Sequence, residues 1–512
     1  MTNRNAKNMI ARAFSMAVAF AATFIITRVI VNKSGNELYG YYAMSADFVN
    51  YATVLALALN SMAGRFITVK YYEHDIKGVN RLFNSILYAN IILSLVISIP
   101  MILIVVNLDQ IISINESLIL EVKVLFACMF LNYLITIVSS VFSVSTFLKN
   151  RVDLDSIRQS ESNIIKVCIV YILYYFFAPN IVYLGIGTII ATVYVWLLNV
   201  YYVHKLTPEI KIFQRRKPVW GELKELLASG VWNSITRVSS IFLNGLDLFI
   251  ANHFLGGSAL GILSIAKTLP KYFFSAIGTF ASVFTPGITI DYAKGDSESL
   301  IKRTTISMKF CALISNVIAA VLIVFGKQIY DLWVPGQQNE KIQLITIVAM
   351  IGMVVVLPME PLWAVFTATN KVKNTSLYLI SESIISISIV ILSLSIVSNE
   401  LLKLVIIAGI SSLFEIIRGI IFMPFYAAKV LHIRYRTFYP VIVRILVAFF
   451  VSIVIGLVVT NGIHNGGLPV LIVLLMIFGI LFVGINVFIV FSKVDRIYLL
   501  NYLKIIRRSS NV

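Results

Sequence analysis

Apolar stretches of about twenty residues fill this chain almost from end to end. An α-helix of about 20 apolar residues crosses the ~30 Å hydrocarbon core of a bilayer and satisfies its own backbone hydrogen bonds there. The short connections leave no room for a separate soluble domain. The pattern predicts an all-α polytopic membrane protein with about 14 transmembrane helices. The predicted spans are 11–31, 43–64, 83–108, 124–147, 159–178, 181–203, 228–252, 260–286, 304–326, 342–369, 376–398, 403–427, 439–460 and 468–491.

Composition and charge agree with this prediction. The chain is 59% hydrophobic and 13% charged, whereas a soluble domain carries about 25% charged residues. The net charge of +18 would indicate a nucleic-acid partner in a soluble protein. Here about 28 of the 42 basic residues fall in alternate connections and about 5 in the opposite ones, a distribution that sets membrane topology. We therefore predict no nucleic-acid partner, an even number of spans and two cytoplasmic termini.

The chain also repeats itself at an offset of 221 residues, which predicts two six-helix lobes related by a pseudo-two-fold axis along the membrane normal. The predicted domains are an N-lobe at 1–205, a basic cytoplasmic linker at 206–227, a C-lobe at 228–430, and two further helices with a basic cytoplasmic tail at 431–512. The matches include Gly35 with Gly256, Gly40 with Gly261, Ser160-Glu161-Ser162 with Ser381-Glu382-Ser383, and, at an offset of 224, Lys149-Asn150 with Lys373-Asn374.

Basic residues deep inside the spans are the main candidates for a binding site, because a charge at the bilayer centre costs roughly 2.5–3.5 kcal/mol on insertion scales. Lys267 and Lys271 are four residues apart and share one face of the eighth span. Arg237 lies in the seventh span. These three residues predict a cationic cavity that binds an anion.

The same cations have an alternative role, which is pairing with acidic residues of other helices. Asp47, Asp247 and Glu360 are candidates for an inter-lobe latch or for ion coupling. The repeat places Asp47 next to the position equivalent to Lys267, so these two side chains are the first candidates for the latch. The anion site and the latch stay open as alternatives.

Two further groups complete the predicted site residues. Trp232, Asn233 and Tyr272 lie in the same spans as the cations and are candidate glycan contacts. Glu415 and Arg418 are three residues apart on one helix, a spacing at which opposite charges pair, so we expect a structural ion pair.

Signals of soluble enzymes are absent. The sequence has no P-loop, HExxH or GxSxG pattern, which weighs against an ATP-driven pump and against hydrolytic chemistry. The five histidines are scattered, and the three cysteines lie in apolar stretches without metal-ligand spacing. We predict neither an enzyme nor a metal site.

Twelve spans in two parallel lobes plus two more resemble the multidrug/oligosaccharidyl-lipid/polysaccharide exporter superfamily. Within it, the chain is similar to the polysaccharide-transporter branch, the flippases of lipid-linked O-antigen and capsule repeat units. The most recognisable pieces are Leu38-Tyr39-Gly40-Tyr41-Tyr42 after the first span and Gly64-Arg65-Phe66-Ile67 at the end of the second.

The resemblance implies alternating-access transport of an undecaprenyl-pyrophosphate-linked oligosaccharide from the cytoplasmic to the outer leaflet of the bacterial inner membrane, for surface polysaccharide synthesis. Lys267, Lys271 and Arg237 would then hold the pyrophosphate. It further implies a monomeric carrier without a cofactor, driven by the membrane potential, H⁺ or Na⁺. Membrane lipids would surround it, and a polysaccharide polymerase and a chain-length regulator would be its protein partners.

Three alternatives remain. One is a cation-coupled exporter of drugs or other small molecules, although the first span lacks the coupling acid common in that branch. Another is a lipid II flippase, whose set of first-span charges is represented here only by Arg12 and Arg28. A glycan polymerase is the third, but the longest predicted outer connection has only about fifteen residues, too few for the large outer loop such enzymes carry.

Overall fold

The computed structural model describes residues 3–213, 234–235, 237–239, 241–242, 245–460, 467–493 and 495–496. Within these ranges every regular element is a helix. The helices are α1 (Asn3–Ser34), α2 (Asn36–Tyr72), α3 (Ile76–Val106), α4 (Leu108–Ile111), α5 (Ile119–Ser139), α6 (Val144–Leu148), α7 (Val152–Phe176), α8 (Val182–Leu206), α9 (Asp247–Ser282), α10 (Thr285–Ala293), α11 (Ser297–Trp333), α12 (Asn339–Val356), α13 (Leu362–Ala368), α14 (Val372–Ile396), α15 (Glu400–Ile417), α16 (Met423–Val430), α17 (Tyr439–Thr460) and α18 (Gly467–Val490).

The helices confirm the predicted all-α membrane architecture. In the described part of the chain, eleven helices are long and apolar enough to cross a bilayer, and α2 adds a twelfth if its two parts form one bent span. The predicted fifth span coincides with α7, whose first half is rich in polar side chains and therefore less apolar than the other spans. The first part of the predicted seventh span, 228–252, lies outside the described residues.

One glycine conformation occurs at two equivalent points of the chain. Gly35 joins α1 to α2 with φ 88° and ψ 166°. Gly256 has nearly the same conformation, φ 82° and ψ −171°, and breaks α9 into two helices. Side chains with a Cβ rarely adopt this region, so glycine is required at both breaks. The match between Gly35 and Gly256 is therefore a match of backbone structure as well as of sequence.

Residues with a left-handed backbone in the connections between helices also come in pairs about 220 positions apart. Asn150 pairs with Asn370, whereas Asn374 lies inside α14. The predicted match at an offset of 224 was therefore wrong, because the turn itself recurs at an offset of 220. The left-handed pairs are His74 with Gly295 (φ 60° and 71°), Asn150 with Asn370 (φ 50° and 53°), and Phe213 with His432 (φ 56° and 55°).

The helices after the turns at His74 and Gly295 begin in the same way in both halves. Asp75 caps α3 by accepting a hydrogen bond from the Gly78 N–H at 2.8 Å. Asp296 caps α11 by accepting one from the Ser299 N–H at 3.0 Å. Each cap satisfies a backbone donor that the first helical turn leaves open. The duplication inferred from sequence thus extends to the turns and caps.

The chain divides into two compact units. The first comprises Met1–Ile265 with Leu379–Ile387, and its core lies where α2, α3 and α8 meet the break between α5 and α6. The division falls inside α9, so the lobe boundaries at 205, 228 and 430 stay predictions.

The second unit comprises Ala266–Tyr378 and Ser388–Val512. Its C-terminal helices α17 and α18 pack on α11. A buried amide contact reinforces this packing, since Asn316 Nδ2 donates to Asn486 Oδ1 at 2.8 Å. The two helices beyond the repeat are therefore integral to this unit.

Candidate functional site

In the first unit, Arg237 lies beside α2. Its Nη2 donates to Asn50 Oδ1 at 3.2 Å. Asp47 is buried on α2 one turn before Asn50, and the Tyr51 hydroxyl donates to the backbone oxygen of Gly245. The cation predicted in the seventh span is thus held by an amide of the helix that also carries the predicted acid Asp47.

Lys166 is a second cation that contacts α2, and it is not among the site residues predicted from sequence. It lies in the middle of α7, where its Nζ donates to the Tyr42 hydroxyl at 2.8 Å and stands 5.3 Å from the Tyr42 ring centroid. The signal for it was present, because Lys166 is a basic residue inside the predicted span 159–178. The rule that selected Lys267 would have selected Lys166 as well.

The other predicted site residues are distributed over both units. Trp232 and Asn233 lie outside the described residues. Asp47, Asp247 and Arg237 belong to the first unit, whereas Lys267, Lys271, Tyr272, Glu360, Glu415 and Arg418 belong to the second. The shared anion cavity and the inter-lobe latch therefore stay predictions.

In the second unit, Lys267, Glu360, Glu415 and Arg418 form a cluster of charged residues within the predicted spans 260–286, 342–369 and 403–427. Glu415 and Arg418 are both buried, and Glu415 Oε1 lies 3.9 Å from Arg418 Nη2. Glu415 also lies within electrostatic range of Lys267, and Glu360 within range of Arg418 and Glu415. The cluster contains two basic and two acidic side chains. Glu415, which was predicted from sequence to pair with Arg418, is thus also an acidic neighbour of Lys267.

The helices are irregular where this cluster forms. Glu360 follows a 3-10 turn, Leu357–Met359, that interrupts the chain between α12 and α13. Arg418 begins a π-helix, Arg418–Phe422, at the end of α15. Gly352 allows α12 to approach α15 closely, because a Cβ at this position would lie 2.7 Å from Glu415 Oε2. Single π-turns in α-helices are frequent at functional sites, which makes the cluster a candidate for more than a structural role.

A polar cavity of about 420 Å³ lies inside the first unit. Its hydroxyl, amide and charged groups offer both hydrogen-bond donors and acceptors, a combination that suits sugar hydroxyls or an anion. In the described part of the chain, no group of three or more His, Cys, Asp or Glu side chains could hold a metal ion. The cavity is lined by Arg12, Thr136, Ser139, Ser140, Ser143, Thr146, Phe147, Val152, Asp155, Gln159, Ser162, Thr192, Val195 and Asn199.

Arg158 stands behind the wall of this cavity. It is only 1% exposed, although it lies one residue before the predicted span 159–178. Its Nη2 donates to Thr146 Oγ1 at 3.3 Å and to Asp155 Oδ1 at 3.1 Å, and its Nη1 donates to Asn199. The guanidinium also stacks over the Tyr202 ring at 4.9 Å. Arg158 therefore ties α6, α7 and α8 together.

The ends of α2 and α9 that are predicted to face the outside are in direct backbone contact. A Cβ on Gly40 would lie 2.9 Å from the Gly261 nitrogen, and one on Gly261 would lie 2.4 Å from the Asn36 oxygen. Gly40 and Gly261 are equivalent positions of the repeat. The two halves thus meet, inside the first unit, through the same residue type at the same point of each half.

Hydrogen bonds from the connector that precedes α5 reinforce this contact. Asn252 Oδ1 accepts from the Ser113 N–H at 2.8 Å, and Asn252 Nδ2 donates to the Ser113 oxygen at 3.0 Å. Asn115 Nδ2 donates to Glu37 Oε1 at 2.7 Å. On either side of this connector, Lys123 of α5 pairs with Asp109 of α4, and the Lys123 ammonium holds the pKa of the Asp109 carboxyl below its usual range. We call this set of glycine contacts and hydrogen bonds the outer-end contact.

Comparison with known proteins gives one relative by sequence. The chain is 26% identical over 405 residues to a protein of Bacillus subtilis (strain 168) named "Uncharacterized membrane protein EpsK", and the match covers 79% of each chain. No protein-family model matches the chain.

Solved structures resemble it over most of its length. The lipid II flippase MurJ in an inward closed conformation aligns with a TM-score of 0.68 at 15% identity, covering 94% of this chain and 97% of MurJ. An inward-facing multidrug resistance MATE transporter aligns with a TM-score of 0.66 at 14% identity, covering 82% and 98%. A MOP superfamily transporter from Pyrococcus furiosus, described as having a binding pocket of reverse polarity, aligns with a TM-score of 0.60 at 16% identity, covering 83% and 96%. The chain is therefore a multi-pass membrane protein with the fold of the MATE and MurJ transporters of the MOP superfamily.

Proposed function

We propose that this protein is a flippase that carries an oligosaccharide linked to undecaprenyl pyrophosphate from the cytoplasmic to the outer leaflet by alternating access, for the synthesis of a surface polysaccharide. The setting is the bacterial inner membrane, with both termini in the cytoplasm. A polymerase and a chain-length regulator that use the delivered repeat units are its expected partners.

The observation that carries the proposal is the extent of the structural match. The lipid II flippase MurJ aligns with 94% of this chain, whereas the multidrug resistance transporter aligns with only 82%. The difference of 12% corresponds to about 61 residues of this chain. The structure of a flippase for a lipid-linked substrate therefore aligns with a larger share of this chain than the structure of the drug exporter does.

Basic side chains inside the spans support an anionic substrate. Lys267 and Lys271 lie four residues apart on α9, with Lys267 half-buried and Lys271 exposed. Lys166 and Arg237 are further basic residues within the spans, each with a neutral hydrogen-bond partner on α2. Cations at membrane depth commonly line a substrate path, and a pyrophosphate is a substrate group that they would bind. Lys267 would exchange its interaction with Glu415 for the substrate.

A cation-coupled exporter of small molecules is the second candidate, favoured by the MATE fold. It is less well supported, because α1 contains no acidic residue that could bind a coupling cation. The charged cluster around Glu415 would be the site of coupling in either case.

The test is flipping by the purified protein in proteoliposomes. A fluorescent lipid-linked oligosaccharide is reconstituted with it, and an impermeant quencher reports how fast the label changes leaflet. We expect flipping by the wild type, its loss in Lys267→Gln/Lys271→Gln, and normal rates in the control Lys341→Gln/Lys403→Gln, which removes the same charge from predicted outer positions. Normal flipping in Lys267→Gln/Lys271→Gln would show that these two lysines do not form the substrate site. If the wild type does not flip the lipid and confers drug resistance on a sensitive host, the protein is the exporter and not the flippase.

A further inference from the structure

A groove of about 600 Å³ runs between the C-terminal ends of α1 and α7, within the first unit. Its α1 residues form adjacent pairs that repeat every four positions, which places them along one face of the helix. The groove is separate from the polar cavity that contains Arg12, and none of the predicted substrate contacts lines it. Its lining residues are Phe24, Ile25, Arg28, Val29, Asn32, Lys33, Tyr171, Tyr174 and Tyr175.

The groove holds two exposed cations, Arg28 and Lys33. Neither forms an ion pair or hydrogen bond with any residue in the described ranges. Two other lysines predicted on the same side of the membrane do form ion pairs at 2.6 Å, Lys123 with Asp109 and Lys327 with Glu340. Within the described residues, counter-charges are therefore present for those two lysines but not for the two cations in the groove.

The two cations lie near the C-terminal end of α1, where a spanning helix is expected to reach the headgroup layer. Arg28 lies six residues before Ser34, the end of α1, which corresponds to about 9 Å along the helix axis. Lys33 lies next to the end. An unpaired cation inside the hydrocarbon is costly, whereas one at this level reaches the lipid phosphates. The ligand that balances Arg28 and Lys33 is then expected to come from the bilayer.

Tyrosines form the other wall of the groove. Tyr171 is 58% exposed and Tyr175 is 74% exposed, and Tyr174 is fixed by a 3.0 Å hydrogen bond between its hydroxyl and Ser34 Oγ. Tyrosine favours the boundary between hydrocarbon and headgroups, where its ring is buried and its hydroxyl reaches polar groups. The wall thus offers an apolar surface for an acyl chain and hydroxyl donors for a headgroup.

The repeat shows that the fold does not require these cations. The positions equivalent to Arg28 and Lys33 in the second half, at an offset of 221, are Phe249 and Phe254. The same helix geometry is thus built with aromatic residues in the other half. Arg28 and Lys33 are particular to the first half and are available for a ligand.

We propose that the groove between α1 and α7 binds the phosphate headgroup of an anionic membrane lipid, with Arg28 and Lys33 as the charged contacts and the tyrosines flanking the lipid. The leaflet is the one at the C-terminal end of α1, which the charge distribution predicts to be the outer leaflet. The lipid is a tightly held phospholipid of that leaflet, distinct from the transported substrate.

Lipid retention by the full-length protein tests the proposal. The protein is reconstituted in bilayers of equal parts phosphatidylglycerol and phosphatidylcholine and extracted in mild detergent. Mass spectrometry then counts the lipids that remain bound. We expect phosphatidylglycerol to be retained over phosphatidylcholine, and this preference to fall about thirtyfold in Arg28→Gln/Lys33→Gln, as expected for the loss of two basic contacts at a membrane surface. The matched control Lys341→Gln/Lys403→Gln should keep the wild-type preference.

Other outcomes would overturn the proposal. An unchanged preference in Arg28→Gln/Lys33→Gln, or an equal loss in the control, would show that the groove is not the binding site. Lys33→Gln alone provides a milder variant if the double substitution impairs folding, and it should still lower the preference. Thermal stabilisation of lipid-depleted protein by inorganic phosphate to the same extent as by phosphatidylglycerol would identify a site for free phosphate and exclude the lipid.

Discussion

The glycine contact between α2 and α9 allows a prediction about the transport cycle. A methyl group on Gly261 would lie 2.4 Å from the Asn36 oxygen, where ordinary contact begins near 3.4 Å, so Gly261→Ala requires the backbones to separate by about 1 Å. Gly40→Ala requires less, since its nearest backbone atom, the Gly261 nitrogen, would lie at 2.9 Å. Neither substitution creates a clash in a state in which the outer ends of α2 and α9 are apart.

The expected magnitude follows from the cost of overpacking, about 1–3 kcal/mol for a well-packed site. If alternating access separates α2 from α9 at this end, Gly261→Ala should raise the population of the open state by roughly 5- to 150-fold. Gly40→Ala should raise it by less. Gly278→Ala is the control on the same helix, because a Cβ there meets nothing within 4 Å.

The assay is labelling from outside by a membrane-impermeant maleimide. Ser264→Cys, in a background without other cysteines, is a suitable probe because Ser264 is buried one turn beyond Gly261. The labelling rate should rise in Gly261→Ala and stay at the background rate in Gly278→Ala. An unchanged rate in folded, monodisperse Gly261→Ala, or an equal rise in Gly278→Ala, would refute the idea that the outer-end contact separates during transport.

Two further substitutions test the packing inside each unit by thermal unfolding in detergent. Gly352→Ala places a Cβ 2.5 Å from the Ser412 oxygen and 2.7 Å from Glu415 Oε2, so it should lower the unfolding free energy by about 1–3 kcal/mol; Gly479→Ala, with nothing within 4 Å, should not. Arg158→Lys keeps the charge but not the planar guanidinium that joins three helices, and we expect a loss of about 1–3 kcal/mol. Wild-type stability of the lysine variant would show that this network does not stabilise the unit.

The fold was predictable because a bilayer restricts the backbone conformations that can cross it. A segment that is apolar over about twenty residues has to be helical in lipid, and the predicted spans 83–108 and 304–326 lie largely or wholly within α3 and α11. The helices also extend beyond the apolar stretches, as α11 does to Ser297 and Trp333. Once a helix has started, each added residue gains a hydrogen bond at little further cost, so hydropathy alone underestimates helix length.

The candidate site was predictable only in part. An intramembrane charge can be recognised from sequence by its cost, which is how Lys267 and Glu415 were found. Their proximity was not predictable, because α9 and α15 are about 150 residues apart in sequence and helical periodicity carries no information on which helices meet. The burial of Arg158, just before the predicted span 159–178, was not predictable for the same reason. The charged run around it looked like a connection, and the groups that hold it, including Asn199 and the Tyr202 ring, come largely from other elements.

The paired left-handed turns bear on how such a protein changes over evolutionary time. A lipid-facing position accepts almost any apolar side chain, so spans that descend from one ancestor soon lose their likeness. A helix-ending turn instead constrains the path of the chain, and that path survives even where His74 stands opposite Gly295. Similarity between the two halves therefore remains detectable for longest in the short, polar turns between the helices. A comparison of very distant carriers would gain most from aligning turns first and letting the membrane helices follow.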